Sequence, residues 1–310
     1  MSVFSNARPY KIVSGDIAQG RLSHAYLLIC PDARNLRGFL KELACLVFGA
    51  DRRAQDLITR EMFADCLVLP AVGGKFTVAE AKAVVDESYI KPVEGDRKVF
   101  ILDGVQDMNA SAQNKLLKVL EEPPANVCFL LGAVNDFAVL PTVKSRAKRL
   151  DLNRFPEREI ENYLKQKYPG REDAAEIAAV CGGSLGRAEE LAEEGNLKKA
   201  TEDAVFFAMN ISVSSAISAS RKYADKDKIS SFLTVLRLVY RDILMLRLGR
   251  EDLLLSGGDR AMLGRAAARY TPAALVNAQD RIAAAEREIR FNANLSVCLE
   301  TLFFGILEGR

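Results

Sequence analysis

The residues best suited to chemistry lie in three short segments of the first half of the chain. From His24 to Arg37 an apolar run is followed by a turn and a helical pattern, the layout that holds a phosphate-binding P-loop. Asp103 ends another apolar run, where a Mg²⁺-binding carboxylate would stand. Ser145 and Arg146 lie in a basic stretch, and arginine suits bidentate contact with phosphate. The three segments together raise the question of phosphate chemistry.

Two of these segments lack residues that a nucleotide site requires. The turn at residues 30–35 has no glycine, and Leu36, followed by Arg37, occupies the position of the P-loop lysine. Gly104 follows Asp103 where a water-activating glutamate would be expected. The plainer interpretations are an ordinary strand–helix turn and an aspartate that caps the next helix. We therefore expect no bound cofactor, although Asp103 keeps open an ATPase with an atypical loop.

The basic stretch has two interpretations. Between Lys144 and Arg154 the chain carries five basic residues and one acidic residue, Asp151. Such a run is either a solvated face or an edge that meets phosphate. With the start of the helix at 112–120 it also suggests a stand-alone DNA-binding module. The net charge of only +2 predicts weak DNA binding by the chain alone.

Composition excludes several other kinds of site. The six cysteines form no C-x-x-C pair, which excludes a four-cysteine zinc module and favours buried thiols. His24 is the only histidine, so histidine-based triads and multi-histidine metal sites are excluded and no metal is expected. The sequence has neither a signal peptide pattern nor a membrane-span pattern, so we expect a cytoplasmic location.

Apolar runs and helical stripes predict an α/β fold followed by an all-α region. Continuous apolar runs are typical of parallel strands covered on both faces. The predicted strands are Ala25–Ile29, Cys66–Leu69, Val99–Asp103, Cys128–Leu131 and Lys148–Leu152. The predicted helices between them are Asn35–Phe48, Val78–Ile90 and Ala112–Leu120.

Strand patterns stop after Asn153, and the remainder has helical patterns. Pro156 is predicted in the first turn of a helix, and the glycines between 182 and 186 separate two more helical stretches. A long apolar stripe from Ile229 to Leu246 ends at Gly249, and Thr271 is a predicted N-cap. A last stripe runs from Leu295 to Ile306. The simplest role of these stripes is core packing.

Four segments resemble the clamp-loader subunits of bacterial DNA polymerase III, within the AAA+ superfamily. His24–Leu27 is similar to their opening motif, and Lys98–Pro124 to their Walker B strand and N-x-L-L-K-x-L-E-E-P-P helix. Ser145-Arg146-Ala147 resembles the S-R-C motif, and Asn292–Leu295 the start of the closing collar helix. The resemblance implies a RecA-like AAA+ domain at 1–154, a three-helix lid at 155–200 and a helical collar for oligomerisation at 201–310.

The departures from the motifs indicate which class of subunit the chain resembles. Leu36, Arg37 and Gly104, together with the missing zinc cysteines, make it similar to the delta-prime class, whose Walker A motif is degenerate. Many members of that class keep the zinc module, so its absence is a departure even there.

The resemblance also implies a function and a set of partners. It implies no ATP hydrolysis by this chain itself and an arginine finger, Arg146, that acts in trans on ATP held by a neighbour, with Ser145 as its motif neighbour. The implied partners are the gamma/tau ATPase subunits and the delta subunit in a hetero-pentamer, the sliding clamp, and primer–template DNA through the assembled complex. The alternative for Arg146 is a surface ion pair.

Overall fold

The computed structural model of this chain describes residues 3–255, 260–290 and 293–309. Contacts divide the chain into two compact units, Met1–Phe155 and Pro156–Arg310. The first is α/β and the second is all helical, so the predicted order of fold classes is confirmed. The domain boundaries at 154 and 200 stay predictions.

The first unit is built on one five-stranded parallel sheet. Its spatial order is β2-β3-β4-β1-β5, and every neighbouring pair is parallel. The strands are β1 Ala25–Ile29, β2 Cys66–Leu69, β3 Lys98–Asp103, β4 Val127–Ala133 and β5 Lys148–Asp151. All five predicted strands are present, with ends that differ by no more than two residues from the predicted ones.

The position of each strand in the sheet explains its sequence. The interior strands β1 and β4 are buried along their whole length, which is why they read as unbroken apolar runs. β5 is an edge strand, and Leu150 is its one buried residue, which accounts for its charged composition.

Helices cover this sheet, and their ends follow local capping signals. They are α1 Arg8–Ala18, α2 Ala33–Phe48, α3 Arg52–Thr59, α4 Val78–Ser88, α5 Ala110–Glu121 and the single turn α6 Pro141–Lys144. Thr77 and Glu80 form a capping box on α4, and Asn109 caps α5. The sequence did not predict α1 and α3, because Ile58 is the one buried residue of α3 and α1 buries only Pro9 and Val13.

The second unit contains nine described α-helices. They are α7 Glu157–Lys167, α8 Ala174–Val180, α9 Leu185–Glu194, α10 Leu197–Met209, α11 Val213–Tyr223, α12 Lys226–Arg247, α13 Arg260–Ala267, α14 Pro272–Arg290 and α15 Leu295–Glu308. The predicted stripe of α12 is buried from Ile229 to Ile243, where Phe232 stacks on Tyr223 with ring centroids 3.7 Å apart. These stripes form the core of the unit, as predicted.

The first residues of α7, α14 and α15 can be compared with the helix starts predicted from the sequence. Pro156 lies one residue before α7 with an extended ψ of 144°, so the prediction that it occupies the first turn is wrong by one position. Thr271 caps α14 as predicted, since its Oγ1 accepts a hydrogen bond from the Ala274 amide. Asn294 caps α15, whereas Asn292 of the same predicted motif lies outside the described residues.

The cysteines are free thiols, and most of them are buried in the hydrophobic core. All six cysteines are free, and five of them are buried, as predicted. Burial raises the pKa of the Cys66 and Cys128 thiols to about 12. None of the helices in the described ranges is long and apolar enough to cross a membrane.

A buried carboxylate fixes the loop that leads into β3. Asp65 is fully buried and accepts hydrogen bonds from the backbone amides of Val93, Glu94 and Gly95 at 2.7, 2.8 and 2.9 Å. Its own carbonyl accepts from the Val99 amide at 2.8 Å, which joins the entry of β2 to that of β3. Asp65 therefore positions the strand that ends in Asp103.

We expect the Asp65→Ala variant to lose about 3 kcal/mol or more of unfolding free energy, because three backbone amides lose their charged acceptor and a buried side chain is removed. Urea unfolding at neutral pH measures the change. The matched control is Asp56→Ala, which removes an exposed ion pair with Arg60 and should cost less than about 1 kcal/mol. Equal losses in the two variants would contradict this role for Asp65.

Candidate functional site

The turn after β1 carries its own anion at the start of α2. Asp32 is the N-cap, and its Oδ1 accepts a hydrogen bond from the Asn35 amide at 3.2 Å. Its Oδ2 accepts from the Asn35 side-chain amide at 3.1 Å. A helix N-terminus in this position is where a P-loop holds phosphate. Here a carboxylate of the chain occupies it.

Leu36, at the lysine position of the motif, points into the core. Its side chain is 1% exposed and packs on Gly132 of β4. A Cβ added to Gly132 would lie 3.0 Å from Leu36 Cδ1 and 2.6 Å from Leu40 Cδ1, so the helix approaches the strand closely. A residue packed in this way offers nothing to a phosphate.

Arg37 fills the centre of the site with a fixed cation. Its Nε and Nη2 donate to the two carboxylate oxygens of Glu61 at 2.7 and 2.6 Å. Its Nη1 donates to the Pro70 carbonyl at 2.9 Å and lies 3.4 Å from Asp103 Oδ2. Lys41 also pairs with Glu61, at 2.6 Å. We call Arg37, Lys41, Glu61 and Asp103 the Arg37 cluster.

The carboxylates of the Arg37 cluster differ in their electrostatics. Hydrogen bonds from Arg37, helped by Lys41, lower the pKa of Glu61 to about 2. Burial raises the pKa of Asp103, and the charge of Arg37 partly offsets that effect. Asp103 thus has an arginine partner where a Mg²⁺-binding acid would face a metal ion.

Asp103 at the end of β3 is followed by a short 3₁₀ turn that begins after Gly104. The alternative that Asp103 caps the next helix is wrong, because Gly104 stands at the cap of the short 3₁₀ turn and Asn109 caps α5. Gly104 has a positive φ of 78°, a conformation that glycine adopts without strain.

Ser145 and Arg146 lie in the turn between α6 and β5. The Ser145 hydroxyl donates to the Thr142 carbonyl at 3.1 Å. The Arg146 guanidinium donates to the same carbonyl at 3.0 Å and lies 3.2 Å from a carboxylate oxygen of Glu121. His24 Nε2 lies within hydrogen-bond distance of the Arg146 carbonyl, at 3.1 Å. Ala147, the residue that departs from the S-R-C motif, packs against the core of the sheet.

Arg146 and the Arg37 cluster lie at opposite edges of the sheet. His24 and Arg146 precede the amino ends of β1 and β5, whereas Asp32, Arg37 and Asp103 lie at the carboxyl ends of β1 and β3. The five residues of β1 separate the two edges by about 16 Å. The structure therefore does not bring Arg146 to the Arg37 cluster of its own chain.

The basic run around Arg146 is largely neutralised by acidic partners. Lys148 pairs with Asp16 at 2.6 Å, and Arg149 pairs with Asp136 at 2.6 Å. Arg149 also pairs with Asp151 at 2.9 Å. These pairs favour the interpretation as a solvated, ion-paired face over a continuous phosphate-binding edge.

Comparison with known proteins places about half of the chain in a family. Residues 5–156 match the family described as "DNA polymerase III, delta subunit". The DNA polymerase III subunit delta' of Bacillus subtilis is 24% identical over 97% of this chain and 96% of that protein. This matched region, about half of the chain, belongs to the DNA polymerase III delta-subunit family. The resemblance to the delta-prime class of clamp-loader subunits is confirmed.

Two further relatives define how far the likeness extends. The DNA polymerase III subunit gamma of Buchnera aphidicola is 26% identical over 49% of this chain, and the match spans 45% of that protein. A DNA polymerase III gamma subunit-related protein of Thermotoga maritima has 18% identity, with a TM-score of 0.52 over 97% of this chain and 99% of that one. The second comparison shows a shared fold, in agreement with the predicted α/β region followed by an all-α region.

Sequence reasoning missed the residues that fill the site. Glu61 lies 24 residues from Arg37 in the chain, and no spacing rule connects them. Asp32 could have been found, because an aspartate three residues before Asn35 at the start of a helical pattern is an N-cap signal. Glu121 belongs to the N-x-L-L-K-x-L-E-E-P-P segment, but no sequence pattern identified it as the ion-pair partner of Arg146.

We expect Arg37→Gln to raise the pKa of Glu61 from about 2 toward its ordinary value of 4.5, because the main hydrogen-bond donor is lost. The depressed pKa stabilises the fold above about pH 4.5, and this stabilisation is lost as the pH falls toward 2. The variant should therefore lose about 1–2 kcal/mol at pH 7, after allowance for solvent screening. The difference in unfolding free energy between the variant and the wild type should become smaller as the pH falls.

NMR titration of Glu61 and urea unfolding between pH 7 and 3 measure these two effects. Arg60→Gln is the matched control, since it removes an equal charge from an exposed pair with Asp56. A Glu61 pKa that stayed near 2 in Arg37→Gln would assign the shift to Lys41 instead.

Proposed function

We propose that this chain is a non-hydrolysing subunit of the DNA polymerase III clamp loader that supplies Arg146 in trans. The observation that carries the proposal is the separation of two sites: the chain's own nucleotide position is filled by its own side chains, and Arg146 lies at the other edge of the sheet. A phosphate for Arg146 must then come from another chain.

The filled site supports the non-hydrolysing half of the proposal. ATP would have to displace Asp32 from the start of α2 and find a lysine where Leu36 is buried. Mg²⁺ would have to displace Arg37 from Asp103. Each exchange breaks charge-assisted hydrogen bonds within the chain, so the active-ATPase alternative is disfavoured.

The residues around Arg146 support the proposal that it acts on a phosphate of a neighbouring chain. Arginine has five donors in a planar fork and stabilises the charge that develops on a phosphoryl group during transfer. Arg146 follows the short helix α6, and its carbonyl contacts His24, so its backbone is anchored to the sheet. The Ser145 hydroxyl donates to the Thr142 carbonyl and accepts a hydrogen bond from Arg146 Nη1, so it supports the arginine.

The names of the relatives suggest which proteins this chain would assemble with. Relatives are named as gamma, tau and delta' subunits of DNA polymerase III, so we place the chain beside gamma/tau ATPase subunits and a delta subunit. The proposed assembly is a hetero-pentamer in the cytoplasm that loads the sliding clamp on primer–template DNA. The ion pairing of the basic run argues against the stand-alone DNA-binding alternative.

The isolated chain should show no binding of ATP at micromolar concentration, because buried Leu36 stands at the P-loop lysine position and Arg37 pairs with the carboxylate that would hold Mg²⁺. Titration with a fluorescent ATP analogue, with and without Mg²⁺, measures this. A gamma/tau ATPase subunit under the same conditions serves as the positive control. Saturable micromolar binding that requires Mg²⁺ would restore the active-ATPase alternative.

In the reconstituted loader, Arg146→Ala should slow ATP hydrolysis at the neighbouring site by about 10³-fold or more, the range of arginine fingers. Single-turnover hydrolysis in the presence of clamp and primed DNA measures the rate constant. Arg149→Ala, which removes a nearby surface arginine, should leave it unchanged. Equal rate constants of ATP hydrolysis for the wild type and Arg146→Ala would contradict the proposal.

A further inference from the structure

The Arg146 side chain folds back onto its own chain instead of extending from the surface. Its Nη2 lies 3.2 Å from a carboxylate oxygen of Glu121, the last residue of α5. Its Nη1 donates to the Thr142 carbonyl at 3.0 Å and to the Ser145 hydroxyl at 3.3 Å. The side chain is 28% exposed. The guanidinium is thus held by groups of the same domain.

This conformation leaves one donor unsatisfied. Arg146 Nε is buried and has no hydrogen-bond partner in the part of the chain that the structure describes. An unpaired buried donor disfavours the conformation that buries it, because the hydrogen bond to water is lost without replacement. Extension of the side chain toward an external acceptor would remove this defect.

Glu121 is placed to hold Arg146 weakly. Its side chain is 60% exposed, so the ion pair is hydrated and screened by salt. It also lies at the carboxyl end of α5, where the helix dipole disfavours a carboxylate and a nearby cation offsets the effect. A phosphate carries more charge than this carboxylate and accepts two hydrogen bonds from one guanidinium. It is therefore the stronger partner.

The backbone needs no movement for such an exchange. His24 contacts the Arg146 carbonyl at 3.1 Å, and the Arg146 amide donates to the Val143 carbonyl at 3.1 Å. Both contacts use main-chain atoms of Arg146. Rotation of the side chain alone can therefore change its partner.

We propose that Glu121 is a latch that holds Arg146 until a phosphate of a nucleoside triphosphate on the neighbouring subunit displaces it. This inference rests on the function proposed above. Glu121 is a positioning residue, since it acts on phosphoryl transfer only through Arg146. Arg146 would therefore contact the phosphate of the neighbouring subunit only when that phosphate binds it more strongly than the Glu121 carboxylate does.

The test uses the reconstituted loader with Glu121→Gln and its matched control Glu122→Gln, which removes an equal charge from the next, exposed residue. Single-turnover hydrolysis at saturating ATP should be about two- to fivefold faster with Glu121→Gln, the range that loss of an exposed ion pair allows. Glu122→Gln should match the wild type.

The double variant Glu121→Gln/Arg146→Ala separates a latch from a structural role. Its rate should equal that of Arg146→Ala alone, because a latch has no effect once the side chain it holds is removed. The thermal unfolding midpoint of Glu121→Gln should stay at the wild-type value, since the carboxylate is largely exposed.

The outcomes distinguish the latch from the function on which it rests. If Arg146→Ala slows hydrolysis while Glu121→Gln matches Glu122→Gln, the latch is wrong and the proposed function stands. A slower Glu121→Gln would mean that Glu121 holds Arg146 in its productive position, which also overturns the latch. If Arg146→Ala has no effect, the proposed function fails, and the latch fails with it.

Discussion

The contact between Arg37 and Asp103, 3.4 Å apart, determines what the first unit can do. A partly buried carboxylate needs hydrogen-bond donors or a cation, and in a nucleotide-binding protein of this layout a metal ion would serve. Here a guanidinium from the first turns of α2 takes that position and is itself held by two hydrogen bonds to Glu61. The cluster joins α2, the segment after α3 and the end of β3. Removal of one partner would leave another charge uncompensated.

The parallel sheet gives the two candidate sites their separate surroundings. Its strands bring Asp32, Arg37 and Asp103 together at one edge, and His24 and Arg146 at the other. Asp65 fixes the entry of β3 and so contributes to the first site from a distance. The same scaffold can therefore lose one site without disturbing the other, because the contacts that support each site come from different loops.

Burial patterns explain which parts of the fold could be predicted from the sequence. The strands and the long helices bury continuous or periodic apolar residues, and Ala25–Ile29 and Cys66–Leu69 are present with the predicted bounds. Helix α3 has too few buried residues to leave a pattern. The sequence shows that glycines and a lysine are missing from the turn after β1, at residues 30–36. What fills the site was not predicted, because the pairs of Arg37 with Glu61 and of Arg146 with Glu121 depend on tertiary contacts between distant residues.

The permanent cation in the Arg37 cluster also bears on how the subunit would respond to the state of the cell. Proteins that bind ATP gain stability that rises with the logarithm of the free nucleotide concentration, and their conformations follow the ratio of ATP to ADP. Arg37 is covalently part of the chain, so its effective concentration at Asp103 never changes. In the function proposed above, such a subunit would be insensitive to the adenylate energy charge and would give the proposed ring one member whose shape does not depend on nucleotide.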